Sequence, residues 1–266
     1  MGVGPRPRLR LPGPGGADVW IVRLAPGDDD PAELTGTERD RRAAIVDLAT
    51  RSQWGATRVQ LRRLLGAYLD VPPAQVPLVQ VCARCGGPHG QLSLAGPLRR
   101  GPMVAAHGHT GTVTGTPAPP IGLSVSHAGP LALLAVAGGP VGVDVELASD
   151  DPAGDRLAVA EQFTPAESAW VHGAGPADAD TRLLQIWTGK EAYLKATGEG
   201  VRRPLDSLTV QGGDRPVLVA SDAGDADRWA LVDLTPDLRT EHPAAVGTAA
   251  VVRGTTLRVR RWPAGH

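Results

Sequence analysis

Residues 184–200 read Leu-Gln-Ile-Trp-Thr-Gly-Lys-Glu-Ala-Tyr-Leu-Lys-Ala-Thr-Gly-Glu-Gly. Leu184, Trp187, Tyr193 and Leu194 form the apolar stripe of an α-helix, and Gly198 and Gly200 supply its stop. Glu191 and Lys195 are four residues apart, so they share one face with the acid on the favourable N-terminal side. An ordinary exposed ion pair would give the same spacing. Composition adds a second clue. Of the 27 basic side chains only Lys190 and Lys195 are lysines. In a chain otherwise restricted to Arg, two ammonium groups on one helix suit a compact point charge facing phosphate.

Upstream, residues 139–147 read Gly-Pro-Val-Gly-Val-Asp-Val-Glu-Leu, an apolar strand carrying two carboxylates. Strand side chains alternate, so Asp144 and Glu146 point to one side while Val143, Val145 and Leu147 point to the other. Two such carboxylates repel by roughly 4 kcal/mol at about 4 Å and an effective dielectric near 20. A solvated edge would relieve this, as would a proton or a cation between them. With oxygen donors only and no Cys or His nearby, the cation of choice is Mg²⁺ rather than Zn²⁺.

The run Gly142-Val-Asp144-Val-Glu146, followed some forty residues later by Trp187-Thr-Gly-Lys190-Glu191-Ala-Tyr-Leu-Lys195, resembles the 4′-phosphopantetheinyl transferases of the surfactin-synthetase-activating type. Their paired signatures, G-(V/I)-D-(V/I)-E and W-(S/T)-x-K-E-(A/S)-x-x-K, are matched at every position. The resemblance implies an α+β fold, a pseudo-dimer of two similar halves with a helix packed on a small antiparallel β-sheet in each. The halves would span residues 17–139 and 140–266 behind a disordered tail, 1–16. It implies transfer of the 4′-phosphopantetheine arm of coenzyme A to a serine of an apo acyl or peptidyl carrier protein, with release of 3′,5′-ADP. Asp144, Glu146 and Glu191 would hold Mg²⁺, with Mn²⁺ as the alternative. Glu191 and Lys195 would be catalytic, Glu191 as metal ligand, general base or both. Arg58, Gln91, Ser126, His127, Asp144, Lys190 and Lys195 would bind coenzyme A. The two-half length points to polyketide and nonribosomal-peptide carriers of secondary metabolism.

Composition bounds the rest. A chain of 266 residues with 42% hydrophobic and 21% charged residues is an ordinary globular protein, able to bury one large core or two modest ones. Its net charge of −1 creates no basic field for nucleic acid or an anionic membrane. No apolar run reaches spanning length and no secretory core follows the first arginines, so a cytoplasmic monomer is expected. Cys82 and Cys85 form a C-x-x-C whose only possible zinc partners are His89, His107 and His109. It is read as a reduced turn.

Along the chain, Asp18–Leu24 reads as a strand and Thr37–Ala49 as a charged helix. A second helix is expected over 54–69, with Val59, Leu61, Leu64, Leu65 and Tyr68 inward and Arg58, Arg62 and Arg63 outward. The resemblance aligns Arg58 with the contact to the adenosine-phosphate end of coenzyme A; Arg39, Arg42 and Arg51 are weaker candidates. Gln91 stands where the family carries a cation, which removes a charge-assisted bond unless Arg84, Arg99 or Arg100 substitutes. His127 is expected just after a strand, in a Ser/Gly turn. Thr164 and Glu167 form a capping box around Pro165, with no chemical role. Strands are expected near 207–211, 216–220, 228–234, 246–252 and 256–262. Two other classes would use clustered acids and cations: a Mg²⁺-dependent nucleotide phosphohydrolase, and a non-catalytic module binding coenzyme A or a carrier protein.

Overall fold

The computed structural model describes residues 9–81, 86–87, 90–95, 121–149, 157–200 and 203–263. Residues 1–8 of the expected tail lie outside these, as do Cys82, Arg84, Cys85, His89, Arg99, Arg100, His107 and His109.

The first strand, β1 (Gly16–Arg23), is buried on both faces: Val19 and Ile21 enter one core, Trp20 and Val22 another. It therefore lies inside a sheet. Its neighbours are β5 (Leu131–Ala137), antiparallel, and β11 (Thr256–Trp262), parallel; β4 (Gly122–Ala128) completes the order β11-β1-β5-β4. A second sheet runs β6-β10-β9, from Val141–Leu147, Ala245–Val252 and Trp229–Asp233, all antiparallel. Two hairpins lie apart, β2–β3 (Leu78–Gln80, Leu92–Leu94) and β7–β8 (Leu208–Gln211, Val217–Ser221).

The helices are α1 (Gly36–Ala44), α2 (Leu48–Leu69), α3 (Pro165–His172), α4 (Pro176–Thr197) and the short α5 (Thr235–Arg239). In α2, Leu61, Leu64 and Leu65 pack on Trp20, Leu134 and Val136 of the first sheet. In α4, Leu183, Leu184 and Leu194 pack with Val246 and Ala250 of the second. The inner faces share a core in which Val19, Ile21, Leu131 and Leu133 meet Val141, Val143 and Val145. The layers thus run helix, sheet, sheet, helix, an α+β architecture in which each long helix covers one antiparallel-dominated sheet.

Several expectations are corrected. The last strand leaves the C-terminal unit and pairs with β1, so the division at residue 140 does not separate two self-contained halves. Arg258 and Arg260 secure the crossing at the buried Asp18 carboxylate, 2.8 and 3.4 Å away. Leu9 and Leu11 pack on the α2 core, so residues 9–16, expected within a disordered tail, are part of the fold. The second helix starts at Leu48, capped by the Asp47 side chain. Arg62 does not project outward. It is one of the largest fully buried side chains, bonded to Glu38 at 2.6 Å and to the Pro73 and Val76 carbonyls. Arg63 is bonded to Glu33. Glu38 and Glu33 lie before α2 and satisfy guanidinium groups that a helical-wheel reading sends to solvent.

Candidate active site

Strand β6 supplies the first acid. In its even positions Gly142 turns toward α4, since a Cβ there would stand 1.9 Å from the Ala192 carbonyl oxygen. The odd positions Val141, Val143 and Val145 enter the shared core. Asp144 and the half-buried Glu146 therefore project on the α4 side, with Asp144 opposite Thr248 of β10. The missing side chain at residue 142 lets the helix backbone press onto the strand beside the acids.

Helix α4 supplies the rest. It ends at Gly198 in the left-handed conformation, φ 79°. Lys195 Nζ lies 2.5 Å from Asp144 Oδ1 and also donates to the Val143 carbonyl at 3.3 Å. The ion pair thus runs across 51 residues, in place of the Glu191–Lys195 pair the spacing suggests. Glu191 is buried, and desolvation followed by the Asp144 charge pushes its carboxyl above the ordinary value, with Lys195 opposing. His127 sits within β4, paired with Ala132, instead of beyond the strand. Burial and the Lys195 charge lower its proton affinity. Asp144, Glu191, Lys195 and His127 are therefore electrostatic neighbours.

Three polar atoms of this cluster are buried without a hydrogen-bond partner: Asp144 Oδ2, Glu191 Oε1 and His127 Nδ1. Such atoms are costly unless something binds them. Two unpartnered carboxylate oxygens fit a hard divalent cation. Among the described residues, no three His, Cys, Asp or Glu side chains are already drawn together as a preformed metal centre.

The structure reassigns two further candidates. Lys190 is fully buried, its Nζ 2.7 Å from Glu167 Oε2 and donating to the Leu205 and Leu208 carbonyls at 2.7 and 2.5 Å. Those three acceptors exhaust the ammonium's three protons, so it braces α3 and β7 and does not reach the cluster. Glu167 does more than cap α3: its other oxygen accepts from Val210 N at 2.6 Å. Ser126 directs its hydroxyl to Asp144 Oδ1 at 2.8 Å.

A chain of hydrogen bonds leads from the cluster into the first unit. Gln91 Nε2 donates to the Lys195 carbonyl at 3.2 Å. Next to it, the Gly90 carbonyl accepts from Gln80 Nε2 at 2.9 Å, and Gln80 Oε1 accepts from Arg58 at 3.0 Å and Arg41 at 3.1 Å. Both guanidinium groups lie over the Trp54 ring, centroids 5.3 and 5.5 Å away. Burial pushes Arg58 down to about 10, leaving it charged at neutral pH. Arg39, Arg42 and Arg51 are held elsewhere, by the Leu34 carbonyl, Asp29 and the Ile45 carbonyl. Sequence reading missed Arg41, Trp54 and Gln80, which are remote in the chain and carry no joint spacing signal. It also missed Thr188 and Thr248, whose buried hydroxyls meet at 3.0 Å and tie α4 to β10 beside Asp144.

Residues 140–246 match the model of the 4′-phosphopantetheinyl transferase superfamily. A Synechocystis protein assigned by name to the 4′-phosphopantetheinyl transferases is 29% identical over 65% of this chain and 61% of its own length. The Nostoc 4′-phosphopantetheinyl transferase HetI is 28% identical over 77% of this chain and 75% of its own. The Aneurinibacillus migulanus transferase gsp is 30% identical over 34% of this chain and 37% of its own. The chain thus spans about three fifths of the Synechocystis relative, and the region shared with the superfamily holds β6 and α4 entire. With both signatures intact and folded against one another, residues 140–246 are the part of the chain that is similar to the 4′-phosphopantetheinyl transferase superfamily.

Proposed function

We propose that the protein transfers the 4′-phosphopantetheine arm of coenzyme A to a serine of an apo acyl or peptidyl carrier protein, releasing 3′,5′-ADP with Mg²⁺ as cofactor. The single observation that carries this reading is the buried cluster of Asp144, Glu191, Lys195 and His127, in which Asp144 Oδ2 and Glu191 Oε1 lack protein partners.

In this reading Asp144 and Glu191, with Glu146 on the same strand face as Asp144, would hold the cation. Mg²⁺, or Mn²⁺ in its place, supplies charge neutralisation for a pyrophosphate. Lys195 keeps 28% of its side chain exposed and offsets phosphate charge from the opposite side of Asp144. His127 contributes a ring nitrogen without a partner in the protein. The bond between the serine oxygen and the β-phosphorus forms as the bond to the α-phosphate bridging oxygen breaks. The serine proton passes to Glu191 as the general base. Arg58 and Arg41, at the far end of the path through Gln91 and Gln80, receive the adenosine-phosphate end. Lys190 has no part in this.

Incubation of the protein with coenzyme A, Mg²⁺ and an apo carrier protein tests the reading by intact-mass spectrometry. The expected result is a carrier heavier by one phosphopantetheine arm. Phosphate release without a carrier would favour hydrolysis instead, and binding with no change of mass would favour a non-catalytic module. Carriers from fatty-acid, polyketide and nonribosomal-peptide synthesis, run side by side, identify the pathway; those of secondary metabolism are expected to load fastest.

A further inference from the structure

Asp144 presents two chemically different oxygens. Oδ1 accepts from Ser126 at 2.8 Å and from Lys195 at 2.5 Å, while Oδ2 is buried without any partner. Asp144 itself is 3% exposed, so solvent does not level this difference. Ser126 belongs to β4, in the first sheet, and is 8% exposed. Two residues earlier Ser124 Oγ accepts from Val143 N at 3.0 Å, so two serines of one strand stitch β4 to the acid-bearing strand. The stitch joins the units at the point where a rotation of one side chain would exchange the oxygens.

We infer that Ser126 is a positioning residue for the divalent cation, acting through Asp144, and not a contact to coenzyme A. Its hydroxyl, with Lys195, occupies Oδ1 and fixes the carboxylate plane so that Oδ2 is the oxygen offered to the metal. Partners of this kind orient a ligand and reduce the entropy lost when the cation binds. The inference rests on the proposed use of Asp144 as a metal ligand. A direct phosphate contact would instead require the hydroxyl to leave Asp144.

The test is Mn²⁺ affinity, read by electron paramagnetic resonance on the full chain, with coenzyme A affinity measured separately in metal-free buffer. Ser126→Ala is expected to weaken Mn²⁺ binding about 10-fold or more, within the 10–100-fold typical of outer-sphere partners. Coenzyme A affinity without metal stays at the wild-type level. Ser126→Cys keeps the volume while weakening the donor, and carries the same expectation should the alanine variant fail to fold. Ser126→Thr restores the hydroxyl and the affinity. Unchanged Mn²⁺ binding in both the Ala and Cys variants overturns the inference. So does a loss of metal-free coenzyme A binding equal to the loss of Mn²⁺ binding, which marks a direct phosphate contact. Carrier loading by the wild-type protein is scored in parallel. If loading fails, the proposed function falls; if loading holds while Ser126 is without effect on the metal, only the positioning role falls.

Discussion

Lys195 Nζ and Asp144 Oδ1 lie 2.5 Å apart, joining the last turn of α4 to the middle of β6 across 51 residues. Because Asp144 is almost wholly buried and Lys195 is not, the pair anchors the carboxylate while its cation still meets solvent. The same acid raises the proton affinity of Glu191.

Replacing Asp144 by Asn keeps the shape and removes the charge. Transfer to a carrier is expected to fall by at least about 100-fold, the scale for losing one preorganised electrostatic contact to a transition state. Mn²⁺ binding should fall with it, while circular dichroism at 25 °C stays native. Turnover within twofold of wild type would refute the assignment of Asp144.

Glu191 ties stability to pH. Its folded proton affinity is raised, first by burial and then by Asp144, so the protonated form is the one that folding favours. That stabilising contribution is complete below the unfolded value of about 4.5 and disappears as pH rises through the folded value. In metal-free buffer, Glu191→Gln should therefore remove this loss of melting temperature with rising pH. Added Mg²⁺ should stabilise the wild type and leave the Gln variant nearly unmoved.

The Lys190–Glu167 pair predicts a larger structural effect than a capping box alone. Both partners are buried, at 0% and 2% side-chain exposure. Glu167→Ala strands an ammonium and should cost about 3–5 kcal/mol, or roughly 6–20 °C in melting temperature. Activity per folded molecule, measured below the transition, should stay within a few-fold of wild type.

Gly142 tests the strand–helix contact. An alanine Cβ would stand 1.9 Å from the Ala192 backbone oxygen and 2.6 Å from Ala196 N. Helix α4 must then move away from β6, at the upper end of the ~1–3 kcal/mol of overpacking or beyond it. Carrier loading should fall more than stability, because Glu191 and Lys195 ride on that helix. An unchanged melting temperature together with unchanged kcat would show that the helix tolerates the methyl.

Arg58→Ala should raise KM for coenzyme A about 10-fold or more with a smaller change in kcat, as expected for a charged hydrogen bond worth roughly 1.5–3 kcal/mol. A change confined to kcat would place Arg58 outside the adenosine-phosphate site.

Short-range regularity made much of this protein readable from its residues. Alternation along Gly142-Val-Asp144-Val-Glu146 assigned the acids to one side of a strand, and the structure has them there. The capping box at Thr164–Glu167 and the glycine stop at Gly198 are local chemistry, and both occur as the residues dictate. The C-terminal strands fall near the positions expected of them. Partner choice was decided elsewhere. Helical spacing assigns Glu191 to Lys195, yet packing α4 onto β6 brings Asp144 within bonding distance of that ammonium. Lys190, five residues before Lys195, faces away from it on the helix and enters a core where Glu167 and two carbonyls satisfy it. Arg62 is drawn inward by Glu38, 24 residues away, and β11 crosses to β1. Periodicity reports which face a residue occupies, because it is a property of one segment's backbone; what meets that face depends on how distant segments fill volume and neutralise buried charge, and only the assembled chain settles it.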